Sequence, residues 1–265
     1  KRYPLIQDSR PDPFSSMLPF ISLETISLGP ITLQVWGLLV ALGIGAGALV
    51  SERVAKSYGL PLSAFWHLVL WIMIGAFVGA RLFFVALYAP TYFFSHPLEI
   101  LVIWQGGWSM MGGYLGALAA GVWVFYRKHL SFFSWADVLV YGLPLGIGIG
   151  RIGCFLIHDH PGTPTNFFLG ILYADGIIRH DHGLYLSLIG FATFFLFWIM
   201  KKYPRRVGDY LLVFLAIEGA SRFFLDFLRA ADIRYFGLTP AQYLGVLFIV
   251  LAVWLLARRY KQPLV

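Results

Sequence analysis

Long apolar runs, each closed by a few polar or charged residues, set the rhythm of this chain. The first is ITLQVWGLLVALGIGAGALV at 31–50, followed by Glu52, Arg53 and Lys56. Further runs lie at about 64–88, 100–126, 135–157, 184–200, 209–228 and 240–257. They approach the ~20 apolar residues an α-helix needs to cross a bilayer, and they lack the alternation of barrel strands. The pattern predicts an all-α membrane protein with seven transmembrane helices. WQGGWSMMGG at 104–113 interrupts the third run, and its glycines predict a broken or re-entrant helix.

Two stretches fall outside the apolar rhythm. Residues 1–30 mix proline and serine with scattered apolar side chains and read as an N-terminal segment on the membrane surface. Residues 158–183, HDHPGTPTNFFLGILYADGIIRHDHG, predict a small extracytoplasmic cap with one short hairpin. The expected organisation is therefore a surface segment (1–30), a seven-helix domain (31–257) and a cytoplasmic tail (258–265).

Composition sharpens this picture. Hydrophobic residues make up 59% of the chain and charged residues 12%, against about 25% charged in ordinary soluble domains. A net charge of +7 in a soluble protein would suggest nucleic acid, but here the distribution of the basic residues decides. Arg53 and Lys56, Arg127 and Lys128, Lys201 to Arg206, and Arg258 to Lys261 cluster in alternate loops. That bias puts the N-terminus outside and the C-terminus in the cytoplasm, and no nucleic-acid partner is expected. The single cysteine, Cys154, excludes an intramolecular disulfide.

Three arginines sit inside apolar runs. Arg81, Arg151 and Arg222 each precede the outer end of a run by about two helical turns, roughly 10 Å below the outer surface. Such residues are costly in a membrane unless an anion meets them. Snorkelling to the interface and interhelical ion pairs are the structural alternatives. A guanidinium fork fits a phosphate bidentately, so the functional reading is a phospholipid headgroup site. Glu218, Arg222 and Asp226 recur every fourth residue on one helix face, either as a salt-bridge ladder or as acids that position Arg222. Gly142, Gly146 and Gly150 likewise share a face, which lets a neighbouring backbone come close.

Several motifs then resemble one family across nearly the whole chain. ISLGPITLQVWGLL at 26–39, GARLFFVALY at 79–88, WQGGWSMMGG, GRIGCFLIHDHPG at 150–162 and SRFFLDFLR at 221–229 follow the order and spacing of the bacterial prolipoprotein diacylglyceryl transferases. The resemblance implies an enzyme of the bacterial inner membrane that needs no cofactor or metal. It would move a diacylglyceryl group from phosphatidylglycerol to the lipobox cysteine of a prolipoprotein signal peptide, releasing glycerol phosphate among the surrounding membrane lipids. Arg151 and Arg222 match arginines the family treats as essential, and Arg81 its second-span arginine. Tyr185 falls at the tyrosine of the HPSQLYE motif. Gly153, Asp159, His160, Glu218 and Asp226 complete the implied substrate contacts.

The chain departs from the family at chemically important places. Met111 stands where the family carries a histidine, and a thioether cannot accept a proton. Cys154 replaces the asparagine of the GRxGNFxNxExxG signature, whose glutamate is read at His160 or, shifted by one, Asp159. Trp36 replaces the first-span tyrosine and Glu218 that of the sixth span. Two HDH triplets, at 158–160 and 180–182, offer replacements for the base. His158, seven residues after Arg151, is placed as the catalytic candidate, expected about two turns above it on the same face. A lipid-modifying enzyme with a different acceptor or with a metal site built from the same histidines, and a lipid-binding protein without turnover, are the competing readings.

Overall fold

Helices dominate the computed structural model, which describes residues 18–29, 31–88, 90–102, 106–230 and 234–259. The expected surface segment therefore lies outside the described residues at 1–17, and the expected tail at 260–265. Arg258 and Arg259 still belong to the last helix.

The chain enters its first long helix later than the apolar run suggests. β1 (Thr25–Leu28) and β2 (Ile31–Gln34) form an antiparallel hairpin, and α1 (Val35–Ser57) begins immediately afterwards. TISL and ITLQ are rich in β-branched residues, and Gly29 turns between them at φ +62°. α2 (Leu62–Tyr88) and α3 (Pro90–Ser95) follow, then a 3₁₀ turn at Pro97–Leu101. α4 (Met110–Lys128) and α5 (Phe132–Ile157) come next. The last helices are α6 (His182–Met200), α7 (Asp209–Leu225) and α8 (Pro240–Arg259).

By length and composition, α1, α2, α5, α6 and α8 can each cross a membrane. α4 is diluted by glycine, and α7 carries Asp209, Glu218 and Arg222 within 17 residues. The expected break in the third run is also displaced. Gly112 and Gly113 lie inside α4, whose first turn is capped by the Ser109 hydroxyl accepting from Gly112 N at 3.3 Å. Trp104 and Gln105 are outside the described residues.

The described residues of 1–47 and 140–265 make one compact unit, and those of 48–139 a second. Both are built on glycine seams, where the absence of side chains lets backbones touch. Within the second unit, Gly75 and Gly79 of α2 oppose Gly112 and Gly116 of α4 so closely that a Cβ at any of them would collide with the other helix. Within the first, a Cβ on Gly43 would lie 2.5 Å from Gly146 O, and one on Gly47 would lie 2.8 Å from Gly142 O. The glycine face of α5 thus receives α1, as its spacing predicts. Gly219 and Gly245 join α7 to α8 in the same way.

Between α5 and α6 stands more than a hairpin. β3 (Pro161–Pro164), β4 (Ile171–Leu172) and β5 (Ile178–Asp181) form an antiparallel sheet in the order β3-β5-β4. Residues 18–23 strap across it: Leu18 N donates to Gly170 O at 3.3 Å and Leu23 N to Leu156 O at 2.9 Å.

α8 starts with a reciprocal cap. Thr239 N donates to Gln242 Oε1 at 2.9 Å and Gln242 N to Thr239 Oγ1 at 3.2 Å, with Pro240 at the first helical position.

Candidate functional site

The C-terminal ends of α5 and α7 and the start of α6 gather most of the chemistry expected from the sequence. Arg151 lies on α5, one turn before Cys154. Its Nη1 stands 3.7 Å from Cys154 Sγ, its one polar contact among the described residues. The side chain is half-buried and forms no salt bridge among the described residues. Gly153 beside it lets α1 in, since a Cβ there would lie 3.0 Å from Trp36 Cα.

Arg222 is buried on α7, and its Nε donates to Glu218 Oε1 at 2.8 Å, one helical turn back. The acid–base pair expected on this face therefore forms. Asp226 takes a different place. It begins the 3₁₀ turn Asp226–Leu228 after α7, accepts from the Thr239 hydroxyl and faces Arg229 Nη1 at 3.8 Å. Its carboxylate ties the end of α7 to the start of α8, so it extends the expected row by sequence spacing rather than as a third helical rung. Thr239 and Gln242 were not among the expected site residues, although TPAQ carries the capping-box spacing.

Arg81, in the second unit, is buried and fully engaged. Its guanidinium donates to the carbonyls of Glu99 (2.8 Å), Ile100 (2.9 Å), Val102 (3.2 Å), Gly106 (2.6 Å) and Gly107 (3.0 Å). This is a clamp on the irregular segment between α3 and α4. Met111 lies in the first turn of α4, with its thioether exposed.

The histidines part company. α5 ends at Ile157, and His158 turns into the left-handed region at φ +50°, so it does not continue the face of Arg151. Its ring is buried, with Nδ1 2.8 Å from Asp181 Oδ2 and Nε2 3.2 Å from the carbonyl of Ile21. A carbonyl only accepts, so Nε2 carries hydrogen, and neither nitrogen is available as a base. Phe20 stacks on the ring at 4.2 Å. Asp181 also accepts from Tyr173 at 2.9 Å and caps α6 through Leu184 N at 2.9 Å. Burial and the Asp181 charge hold the Tyr173 phenol protonated far above its usual range.

His180 Nδ1 meets the Tyr185 hydroxyl at 2.7 Å, and burial lowers the pKa of its imidazole. Tyr185 is itself buried. His160 Nδ1 stands 3.0 Å from Asp159 Oδ1 but out of hydrogen-bond alignment, and this buried nitrogen has no hydrogen-bond partner among the described residues. Asp159 is exposed. His182 Nε2 donates to Leu225 O at 2.7 Å, while its Nδ1 is buried and has no partner among the described residues. Four histidines thus face four different partners, and no three metal-ligating side chains converge among the described residues.

Gly162 was missed. A Cβ there would lie 2.7 Å from His180 O and 2.9 Å from Leu228 O, where β3 is squeezed between β5 and the turn after α7. Counted from Gly150 without a gap, GRxGNFxNxExxG ends on this glycine and puts its acid at Asp159 rather than His160.

The model of the family described as prolipoprotein diacylglyceryl transferase matches residues 24–258. Similar proteins include the phosphatidylglycerol–prolipoprotein diacylglyceryl transferase of Nitrosospira multiformis, 34% identical over 92% of this chain and 88% of the relative. The protein of the same name from Nitrosomonas europaea is 34% identical over 89% of each chain. That of Staphylococcus saprophyticus is 30% identical over 92% of each.

Proposed function

The chain belongs to the prolipoprotein diacylglyceryl transferase family, and from that premise we propose how its residues carry the reaction. It is a membrane enzyme that transfers the diacylglyceryl group of phosphatidylglycerol to a prolipoprotein. The acceptor atom is the lipobox cysteine thiol, which attacks the glyceryl C3 carbon. The C3–O bond breaks, a thioether forms, and glycerol phosphate leaves with the bonding electron pair on its phosphate oxygen.

Arg151 carries this reading. A half-buried guanidinium on an apolar helix, with a thiol sulfur at 3.7 Å as its polar contact among the described residues, suits an incoming phosphate. Arg222 binds the same phosphate and is oriented by Glu218. Both stabilise the charge that grows on the leaving group. Asp226 acts by anchoring α7 to α8, and Arg81 by shaping the segment before α4 through its carbonyl bonds. Gly153, Tyr185, Asp159 and His160 line the approach to α5 and the cap. His158 holds the cap rather than moving protons.

The chain crosses a bacterial inner membrane seven times, with the cap and N-terminus outside and the C-terminus in the cytoplasm. The basic residues that cluster in alternate loops support that orientation.

The test uses the purified full chain in phosphatidylglycerol vesicles with a lipobox peptide, with and without chelator. A diacylglyceryl mass gain on the peptide, matched by released glycerol phosphate and unaffected by chelator, is the expected result. Intact protein that binds the lipid without turnover would favour a lipid-binding protein instead.

A further inference from the structure

We propose that His182 is the general base that activates the acceptor thiol, in place of the histidine missing at Met111. The assignment rests on the transferase reading above. It starts from a buried imidazole with one nitrogen committed and the other idle. Nε2 donates to Leu225 O at 2.7 Å, which fixes the hydrogen on that nitrogen. Nδ1 therefore presents a lone pair, and it has no partner among the described residues although the side chain is 3% exposed. A buried acceptor left unsatisfied costs stability, and such a group in a native site calls for an explanation.

Its position supplies one. Leu225 lies three residues beyond Arg222 on α7. Gly183, next to His182, seats the first turn of α6 on α5, where its Cβ would lie 2.9 Å from Cys154 C. Cys154 in turn lies three residues beyond Arg151. The imidazole is thus bonded to α7 three residues beyond Arg222, on a turn of α6 that packs against α5 three residues beyond Arg151. His160, Asp226 and Arg229 are close enough to act on its charge. Asp226 attracts an imidazolium formed there, while Arg229 and His160 oppose it. None of the other three histidines combines these features: His158 is engaged at both nitrogens, His180 by Tyr185, and His160 lies beside the Asp159 carboxylate.

The proton balance is complete. The thiol proton passes to Nδ1 while Nε2 keeps its own, giving an imidazolium. Sulfur bonds to C3, and the C3–O electrons go to the departing phosphate. The imidazolium then returns its proton to a phosphate oxygen, leaving neutral His182 and glycerol phosphate.

The pH dependence of transfer from phosphatidylglycerol to a lipobox peptide tests this in wild type and His182→Gln. Glutamine can still donate to Leu225 O but has no basic nitrogen. The expected loss is about a hundredfold or more, with disappearance of the acidic limb of the rate profile. Added imidazole should restore turnover to His182→Ala in proportion to its concentration. A His182→Gln rate within threefold of wild type, or residual turnover that keeps the wild-type acidic limb, would overturn the assignment. Wild type that transfers nothing to the peptide would instead remove the transferase reading, and this proposal with it.

Discussion

At the scale of single residues, three arginines that look alike in the sequence separate once their partners are known. Arg81 spends its donors on backbone carbonyls, Arg222 gives Nε to Glu218, and Arg151 faces only a thiol among the described residues. Replacing Arg151 with lysine keeps the charge but loses the fork. Turnover should fall by about 10²–10³, as when one preorganised oxyanion donor is lost, with little change in melting temperature. Full activity in Arg151→Lys would take this residue out of the chemistry. Arg222 and Glu218 were legible because a four-residue spacing on a helix brings side chains together. Arg81 was not, because its carbonyl partners lie 18 to 26 residues downstream in irregular chain that no periodicity describes. His182 was legible only as one histidine of two HDH triplets. Which of its nitrogens is engaged depends on Leu225, 43 residues away.

Helices and strands show where periodicity stops being informative. The long helices follow the apolar runs, and the Gly142–Gly146–Gly150 spacing foretold the close approach of α1. The second strand of the hairpin before α1 falls in the expected membrane span because ITLQ is as apolar as it is β-branched, and the first falls in the expected surface segment. The cap sheet was underestimated because β4 has two residues, too few to display alternation. That sheet has its own acid response. Burial lowers the folded-state pKa of His180 below the ~6.5 of a free imidazole, so the unfolded cap binds the proton more readily. The stabilisation from keeping it neutral is complete above that unfolded value and is lost as pH falls through the folded one. Amide exchange in β5, corrected for intrinsic rates, should therefore quicken on acidification, and His180→Gln should flatten the response. A pH-independent exchange rate in wild type would contradict this.

For the molecule as a whole, orientation is the decisive expectation. Cysteine introduced by Asp175→Cys should react with a membrane-impermeant maleimide in intact cells. Cysteine introduced by Lys202→Cys should react only after lysis. The native Cys154 is buried and gives little background. The reverse pattern would invert the topology. Biogenesis adds a constraint of its own. The strap at residues 18–23 docks on groups made far later, Ile21 O meeting a His158 nitrogen 137 residues away in the chain. At roughly 5–20 residues per second of synthesis, the strap waits on the order of ten seconds for its partner to emerge. Insertion of α1 must therefore proceed without it, and the strap is fastened late, by chain made well after it.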